Sequence, residues 1–482
     1  MSIEGLGIIA FCIGMVIVGG IYTKRAQSSS SEFFVSGRHN SLWLIVAGHV
    51  MGWVGAGTLV GVYGSAYKGG LGAGIWYPVG FSLSFFVFGP IMARRIKRLG
   101  DARDVYTFPE IIRRRFAPGA ASVYVFIETV QSIAFIIGQY MAIALVLDLC
   151  MGLSYEWACV VSGVVVLLYV SLGGLTGSLM VTLIQLGICI VGLILSAGIG
   201  LRMTRGFSGL MASLPAGWNP NPFTGMTVPM IIAGFLPTFI NSFIYSSIYT
   251  RTFSAKDEKT AVKACYLAGV TACAIVALTV LCVFVCVSCV PGLTRGDYAL
   301  IELFRRTIPW GGALFAAAIV SACMSTASEA LIGTAATITK DIVQGLFRIK
   351  MDDHSTVRLA RLVMIAVTVA CVVIAVYMTS LLDLMYFAAN LTAAYAPTFL
   401  VSVFWNRVNT QGMAAGMAGG MLTAVIWGLV PSLNTIIPSL YAGILISLTL
   451  LVIVTLSFPP PTKEQIDFIR PFQTARWREE EK

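Results

Sequence analysis

Charge is what this chain has least of. Only 11% of its 482 residues are Asp, Glu, Lys or Arg, whereas 57% are hydrophobic. Soluble domains carry about 25% charged residues, so a water-soluble core cannot account for this composition. Histidine is scarcer still, with three residues scattered at 39, 49 and 354. They form no His-Glu-x-x-His pair, and no nucleophile-elbow pattern accompanies them, which counts against a membrane-embedded hydrolase. The eleven cysteines lie mostly inside apolar runs without paired spacing. They read as helix-packing thiols and not as a disulfide framework. No loop resembles an ion-selectivity filter, and no period of 20–50 residues marks a solenoid. The first apolar run, "GLGIIAFCIGMVIVGGIY", has neither a basic region before it nor a small-residue cleavage site after it. It is expected to be a retained helix and not a signal peptide.

What the chain does have is apolar runs of 18 residues or more from end to end, the mark of transmembrane helices. Reading them between charged or Gly/Pro breaks gives thirteen expected spans. These are 5–22, 42–66, 73–93, 120–149, 156–172, 175–201, 227–250, 262–290, 311–339, 359–379, 382–405, 411–430 and 438–457. The run 120–149 exceeds the ~20 residues needed to cross, so it must tilt or protrude. An all-α integral membrane protein with one domain over 1–482 is expected, because no polar stretch is long enough for a second one.

The net charge of +10 is a topology signal and makes no case for nucleic acid. With the N-terminus outside, all but six of the 32 Lys and Arg fall on the inside, in "TKR", "ARRIKRLGDAR", "IIRRRF", "RTFSAKDEKTAVK", the 340–361 segment and the tail, together with Arg38 and Arg407. The exceptions are Lys68, Arg202, Arg205, Arg295, Arg305 and Arg306. The positive-inside rule then places the C-terminus in the cytoplasm, as an odd number of spans requires. The serine run 28–31 reads as a cytoplasmic linker, and the tail from Lys463 is expected along the membrane surface. A plasma membrane is implied, and the compact length and short tails fit a prokaryotic inner membrane.

Two spans are interrupted. The second contains Gly48, Gly52, Gly55 and Gly57, and the seventh contains Gly234, Pro237 and Asn241. Interruptions five helices apart are what an inverted-repeat transporter places at its binding site. Glycine that permits close helix packing explains them equally well. In "IVSACMSTASEALIG", residues 319–333, Ala322, Ser325, Thr326 and Glu329 share one helical face. Hydroxyl and carbonyl oxygens suit a hard cation, although Ser and Thr in membrane helices also bond back to their own carbonyls. His49 and Glu329 are ionisable groups inside spans, a costly placement that by default points to function.

The stretch "ACMSTASEALIGTAATITKDI" resembles the eighth core helix of the sodium/solute symporter family, particularly its sodium/proline branch. "YVSLGGLTGSLMVTLIQ", "YTRTFSAKDEKTA" and "APTFLVSVFWNRVNTQGMAAGMAGG" are similar to further segments of that family, in the same order. The resemblance implies a core of two inverted five-helix repeats over 42–405. One extra helix, 5–22, would precede it, two would follow over 411–457, and 458–482 would form a cytoplasmic tail. It implies a sodium site made of the carbonyls of Ala47 and Val50, freed by the broken helix, with the Ala322 carbonyl and the Ser325 and Thr326 hydroxyls. Thr182 stands where many members carry an Asp of a second sodium site, His49 where the proline branch has Asp, and Glu329 where relatives often have Ser. His49, Trp53, Asn241 and Tyr245 are the candidate solute contacts, and Glu329 the candidate coupling residue. The expected activity is not enzymatic: inward sodium movement drives uptake of a small organic solute, an amino acid or carboxylate, by alternating access. Na+, the solute and the lipid bilayer are the expected partners. Proton coupling through His49 and Glu329, or a non-transporting solute sensor, stays open as an alternative.

Overall fold

The computed structural model describes residues 3–21, 40–105, 107–293, 295–307, 312–378, 380–430, 432–433 and 436–474. The "TKR" turn, the serine run 28–31 and His39 lie outside the described residues. Nineteen helices follow one another, and among the described residues the only strand-like pairing is a bridge between Asn40 and Ala255. They are α1 (Ile3–Ile21), α2 (Leu42–Met51), α3 (Val62–Gly69), α4 (Gly72–Phe88), α5 (Arg94–Arg103), α6 (Phe108–Met151) and α7 (Tyr155–Met203). After these come α8 (Phe207–Ala212), α9 (Val228–Asn241), α10 (Ser246–Ser254), α11 (Glu258–Cys289), α12 (Ala299–Thr307) and α13 (Gly312–Ala336). The chain ends with α14 (Asp353–Tyr377), α15 (Leu381–Ala393), α16 (Ala396–Phe404), α17 (Thr410–Leu429), α18 (Ser439–Ser457) and α19 (Lys463–Gln473).

Among the described residues, nine helices are long and apolar enough to cross a membrane, and ten if the bent pair α9 and α10 counts as one span. This is a multi-pass membrane protein. The thirteen expected spans are not matched one for one. Three appear only as shorter apolar helices, Gly5–Met15, Leu42–Met51 and Tyr155–Leu168.

The runs 156–172 and 175–201 join in α7, which is 49 residues long. A straight rod of that length would be about 74 Å, more than twice the hydrocarbon thickness. Hydrogen bonds show how it fits. Tyr155 donates to Ala375 O late in α14, whereas Arg361, early in α14, donates to Ser171 O. Cys282 and Ser288, late in α11, donate to Leu193 O and Leu210 O. Asp148, just before Tyr155, accepts from Tyr298, just after α11. The two ends of α7 therefore lie at the same end of the bundle, and its arms Tyr155–Ser171 and Leu179–Met203 run in opposite directions. The sequence reading divides the two runs at Gly173–Gly174.

The end of the bundle that carries most described Lys and Arg is tied together by its own side chains. Arg98 meets Glu258 at 3.0 Å, and Lys97 donates to Phe253 O. Asp257 caps α11 by accepting the Thr260 amide at 2.7 Å, which holds its carboxyl below the usual range. The tail does not lie free along the surface. In α19, Phe468, Ile469 and Phe472 are buried, Arg103 donates to Asp467 O, and the Arg114 guanidinium stacks over Phe468 at 4.7 Å. The apolar face of this short helix decides its place, because it finds packing that a flat membrane surface would supply less specifically.

Asn409 holds the last two membrane helices together. Its Oδ1 caps α17 by accepting the Gly412 amide at 2.8 Å, and its Nδ2 donates to Thr455 O, Phe458 O and Pro459 O. Loss of a cap costs about 1 kcal/mol, and unpaired buried carbonyls add about 1–3 kcal/mol. Asn409→Ala is therefore expected to lower the melting temperature of the purified protein while transport by the surviving fraction is retained. An unchanged melting temperature would contradict this accounting.

Candidate functional site

Helix α2 stops at Met51, and the backbone changes direction before a π-helical turn over Gly57–Gly61 leads into α3. Gly52 N still donates to Gly48 O, and Trp53 N and Val54 N both donate to Val50 O at 3.1 and 3.0 Å. Gly55 N then turns to Trp53 O, so the Met51 carbonyl loses the amide that a continuous helix would give it. Ala56 N, which would continue the ladder to Gly52 O, donates to Gln139 Oε1 at 2.8 Å instead. The break thus begins later than the sequence suggested. Ala47 lies within intact helix and Val50 O is doubly occupied, because the loosening glycines at 52, 55 and 57 follow these residues. Met51 O is the carbonyl set free.

The Thr326 hydroxyl on α13 takes up that carbonyl at 2.8 Å and also reaches Ala322 O at 3.3 Å. Ser325, its neighbour, shares a hydrogen bond of 3.0 Å with Thr182 on α7. The hydroxyl pair thus stands where α2, α7 and α13 meet, and all three hydroxyls are buried. Among the described residues no group of three or more His, Cys, Asp or Glu could hold a metal. The donor set here is neutral hydroxyl and carbonyl oxygen, which suits an alkali cation that cannot be stripped of water onto sulfur or imidazole.

Arg251 is the largest departure from the expected map. Counted with the inside loops, it is instead buried in α10 and forms an ion pair with Glu329 on α13. Their side chains are 3% and 6% exposed. The pair packs against the glycines of α2. A Cβ at Gly48 would lie 2.8 Å from Arg251 Nε, and one at Gly52 would lie 2.5 Å from both Arg251 Nη1 and Glu329 Oε2. Two of the glycines that looked like helix loosening therefore also make room for buried charge. The apolar residues Ile244, Tyr245, Ile248 and Tyr249 precede Arg251, and the charges that follow at 256–259 made it look like part of a loop.

Above Gly52 lies a narrow cavity lined by Gly52, Trp53, Gly57, Tyr77, Phe135, Gln139, Tyr245 and Thr326, with room for about one water molecule. Trp53 stacks on Phe81 at 5.5 Å and meets Tyr245 at 5.5 Å and Phe135 at 5.9 Å. Tyr245 occupies the break between α9 and α10, which meet at 42°. Trp53 and Tyr245 thus line the cavity as expected, whereas His49 and Asn241 do not. His49 points from α2 toward Phe85 at 5.5 Å, and neither ring nitrogen has a hydrogen-bond partner. Asn241 Oδ1 accepts from Gln131 at 3.1 Å and Thr392 at 2.8 Å. It joins α9 to α6 and to α15, close to a third break at Ala394–Tyr395. His49 and Trp53, like Asn241 and Tyr245, are four residues apart and would share a face on an unbroken helix, so it is the breaks at 52–55 and 242–245 that turn Trp53 and Tyr245 toward the cavity. The sequence reading passed over Gln139, Tyr77 and Phe135. Two glutamines eight residues apart in the apolar span 120–149 were the available signal for α6.

A separate cluster of packed rings centres on Phe108, at the start of α6. Phe108 lies 4.2 Å from Tyr249, 4.5 Å from Phe399 and 4.7 Å from Tyr124.

Broken membrane helices that enclose a mid-bundle cavity, with released backbone met by hydroxyls of a facing helix, define a secondary transporter. The family model "Sodium:solute symporter family" matches residues 33–420, and the chain belongs to that family. It is a sodium-coupled solute transporter and not an enzyme. The osmoregulated proline transporter of Bacillus subtilis (strain 168) is 26% identical over 93% of this chain and 95% of its own length. Sodium/proline symporter 2 of Staphylococcus saprophyticus is 25% identical over 87% and 84%. Among solved structures, a substrate-bound outward-open Na+-coupled sialic acid symporter superposes with a TM-score of 0.82 at 16% identity, over 96% of this chain and 99% of that one. A nucleobase-cation-symport-1 family transporter in a closed conformation gives 0.61 at 12% identity, over 91% and 98%. These two likenesses speak for the fold.

Gln139→Ala removes the side-chain partner of the Ala56 amide at the break. An unpaired buried amide costs about 1–3 kcal/mol. Initial uptake rates are expected to fall at least fivefold while the amount of protein in the membrane stays the same. Parental uptake by Gln139→Ala would show that this bond does not hold the break.

Proposed function

We propose that the chain carries one sodium ion and one small organic solute, an amino acid or carboxylate, inward in each cycle. The reading rests above all on the Thr326 hydroxyl, which meets the released Met51 carbonyl at 2.8 Å beside Ser325. The sodium ligands are the hydroxyls of Ser325 and Thr326 and the carbonyls of Ala322 and Met51, the last in place of the Ala47 and Val50 carbonyls, which α2 keeps engaged. Sodium braces α2 against α13 and favours the state open to the outside. Solute between Trp53 and Tyr245 then lets the cavity close. Glu329 lies one turn beyond Thr326 on the same face of α13 and is the coupling residue. Through Arg251 it links the sodium-bearing helix to α10, the half-helix that follows the break beside the solute cavity. Such coupling is a reciprocal free energy between two sites. The ten-helix core spans 42–405, and the distribution of Lys and Arg supports an outside N-terminus and a cytoplasmic C-terminus.

Ser325→Ala and Thr326→Ala are each expected to raise the sodium concentration for half-maximal uptake, tenfold for every ~1.4 kcal/mol of lost ligand energy. Both should still insert and fold. Unchanged sodium activation in both would remove this pair from the site.

The stoichiometry of one sodium per solute rests on Thr182. Its hydroxyl is engaged with Ser325 and brings no charge for a second ion. Reversal potentials measured in proteoliposomes count the coupled ions, and a value of two would refute the single-sodium reading.

A further inference from the structure

Three consecutive arginines lie near the start of α6, and their surroundings differ. Arg114 donates to Arg103 O and stacks over Phe468, and buried Arg115 donates to Asn406 O and Val408 O. Arg113 is one-third exposed. Its ion-pair partner among the described residues is Glu110, at 4.0 Å, a carboxylate that Arg114 shares at 3.6 Å. Two guanidinium groups thus lean on one carboxylate, and positive charge is left over at Arg113. The helix kinks just beyond, where Ala117 adopts φ 71° and ψ 166°, a conformation that a side chain disfavours. A cleft of about 260 Å³ spans this kink, between α6 and the π-helical segment Thr337–Leu346 that continues α13. Its walls are apolar, with Ala121, Val125 and Phe126 facing Ile338 and Ile342. The two hydroxyls in them, of Ser122 and Thr129, turn back to Pro118 O and Val125 O of their own helix. Arg113 is the charged group of this lining, and a Cβ at Gly345 would lie 2.6 Å from its Nη1.

We propose that the cleft binds one anionic phospholipid from the leaflet on the basic side, with the phosphate on Arg113 and an acyl chain along the wall from Ala121 to Thr129. The site is separate from the solute cavity and does not depend on which ion is coupled. Placement and charge select the occupant. Phe126 on the rim is exposed although α6 is a membrane span, so the apolar part of the cleft opens to hydrocarbon. Arg113 stands on the other side of the kink, at the basic end, where head groups lie. Arginine takes phosphate through two parallel N–H donors, and basic pockets between spans on this side of a membrane suit anionic head groups. A zwitterionic head group brings a cation of its own toward Arg113 and Arg114, whose single shared carboxylate does not offset it. Gly345 contributes by lacking a side chain, which lets the guanidinium lie over the π-helical turn at the mouth of the cleft. A lipid held there rests against the continuation of the helix that carries Thr326 and Glu329.

Native mass spectrometry of the purified full-length protein in detergent counts the lipids retained as dioleoyl phosphatidylglycerol or dioleoyl phosphatidylcholine is added. The two share their chains and their phosphate and differ in head-group charge. The first phosphatidylglycerol should bind at a concentration about fivefold or more below the first phosphatidylcholine, the effect of one well-placed arginine. Arg113→Gln should abolish this preference. Ser122→Trp fills the apolar trough with Arg113 retained, and should raise the half-saturating phosphatidylglycerol concentration by a similar factor. Equal binding of the two lipids by the parent overturns the proposal, since the cleft then admits bulk lipid without reading its charge. An undiminished preference in Arg113→Gln overturns it too, and so does undiminished phosphatidylglycerol binding in Ser122→Trp. The two variants alter opposite ends of the cleft, so each tests the site without the other.

Discussion

A helix broken in the middle of a bilayer has to find partners for the backbone groups that it releases, because no water is present to take them. The interruption after Met51 is the place where this chain meets that demand, and much of its architecture is arranged around the solution. One released carbonyl goes to Thr326 on α13 and one released amide goes to Gln139 on α6. Two otherwise separate helices are thereby bound to the two edges of the same unwound stretch, residues 52–55. A cation that competes for the Met51 carbonyl or the Thr326 hydroxyl acts directly on the element that lines the solute cavity. On the proposed reading, the site would respond to sodium for the same reason that the fold tolerates the break.

The buried ion pair adds a second constraint at the same place. Removing two charges from water is rarely repaid by their mutual attraction alone, and breaking such a pair by deleting one partner is more costly than replacing both. Stability is therefore a weak explanation for Arg251 and Glu329. Position explains them better. They connect α10 to α13 across a face of α2 made of Gly48 and Gly52, so any movement of α10 away from α13 has to separate opposite charges in a dry interior. Other ties run from α10 to α2. Asn40 N, just before α2, donates to Ser254 O at 3.1 Å, and Asn40 pairs with Ala255. The basic-end halves of both broken helices are thus joined to each other by backbone bonds and to α13 by hydroxyl and charge.

The membrane class, the family and the elements that carry the site were legible in sequence, because they rest on signals that survive without geometry. Apolar length marks the spans, and the spacing of Ala322, Ser325, Thr326 and Glu329 marks a single face. What was not legible depends on contact. The charge of Arg251 fits a cytoplasmic loop as well as a buried pair, and only the proximity of Glu329, 78 residues away, decides between them. The position of the break was read to within one turn, but the identity of the freed carbonyl turns on which amide bends first. Trp53 and Tyr245 were found as cavity residues because they sit at the interruptions themselves. His49 and Asn241, named with them in the sequence reading, do not line the cavity, because they lie before the interruptions, on helix that turns them toward neighbours.

These constraints together give the direction of coupling a physical basis. On the proposed reading sodium sits at Thr326 and Met51, next to Gly52 in the wall of the cavity and on the same helix as Glu329. An ion there would fix the relation of α2 to α13 and with it the cavity wall at Gly52. With the hydroxyl pair on one helix and Glu329 on another there would be no such dependence. The three-residue interval from Thr326 to Glu329, less than one helical turn, is what makes the occupancy of one site a statement about the shape of the other.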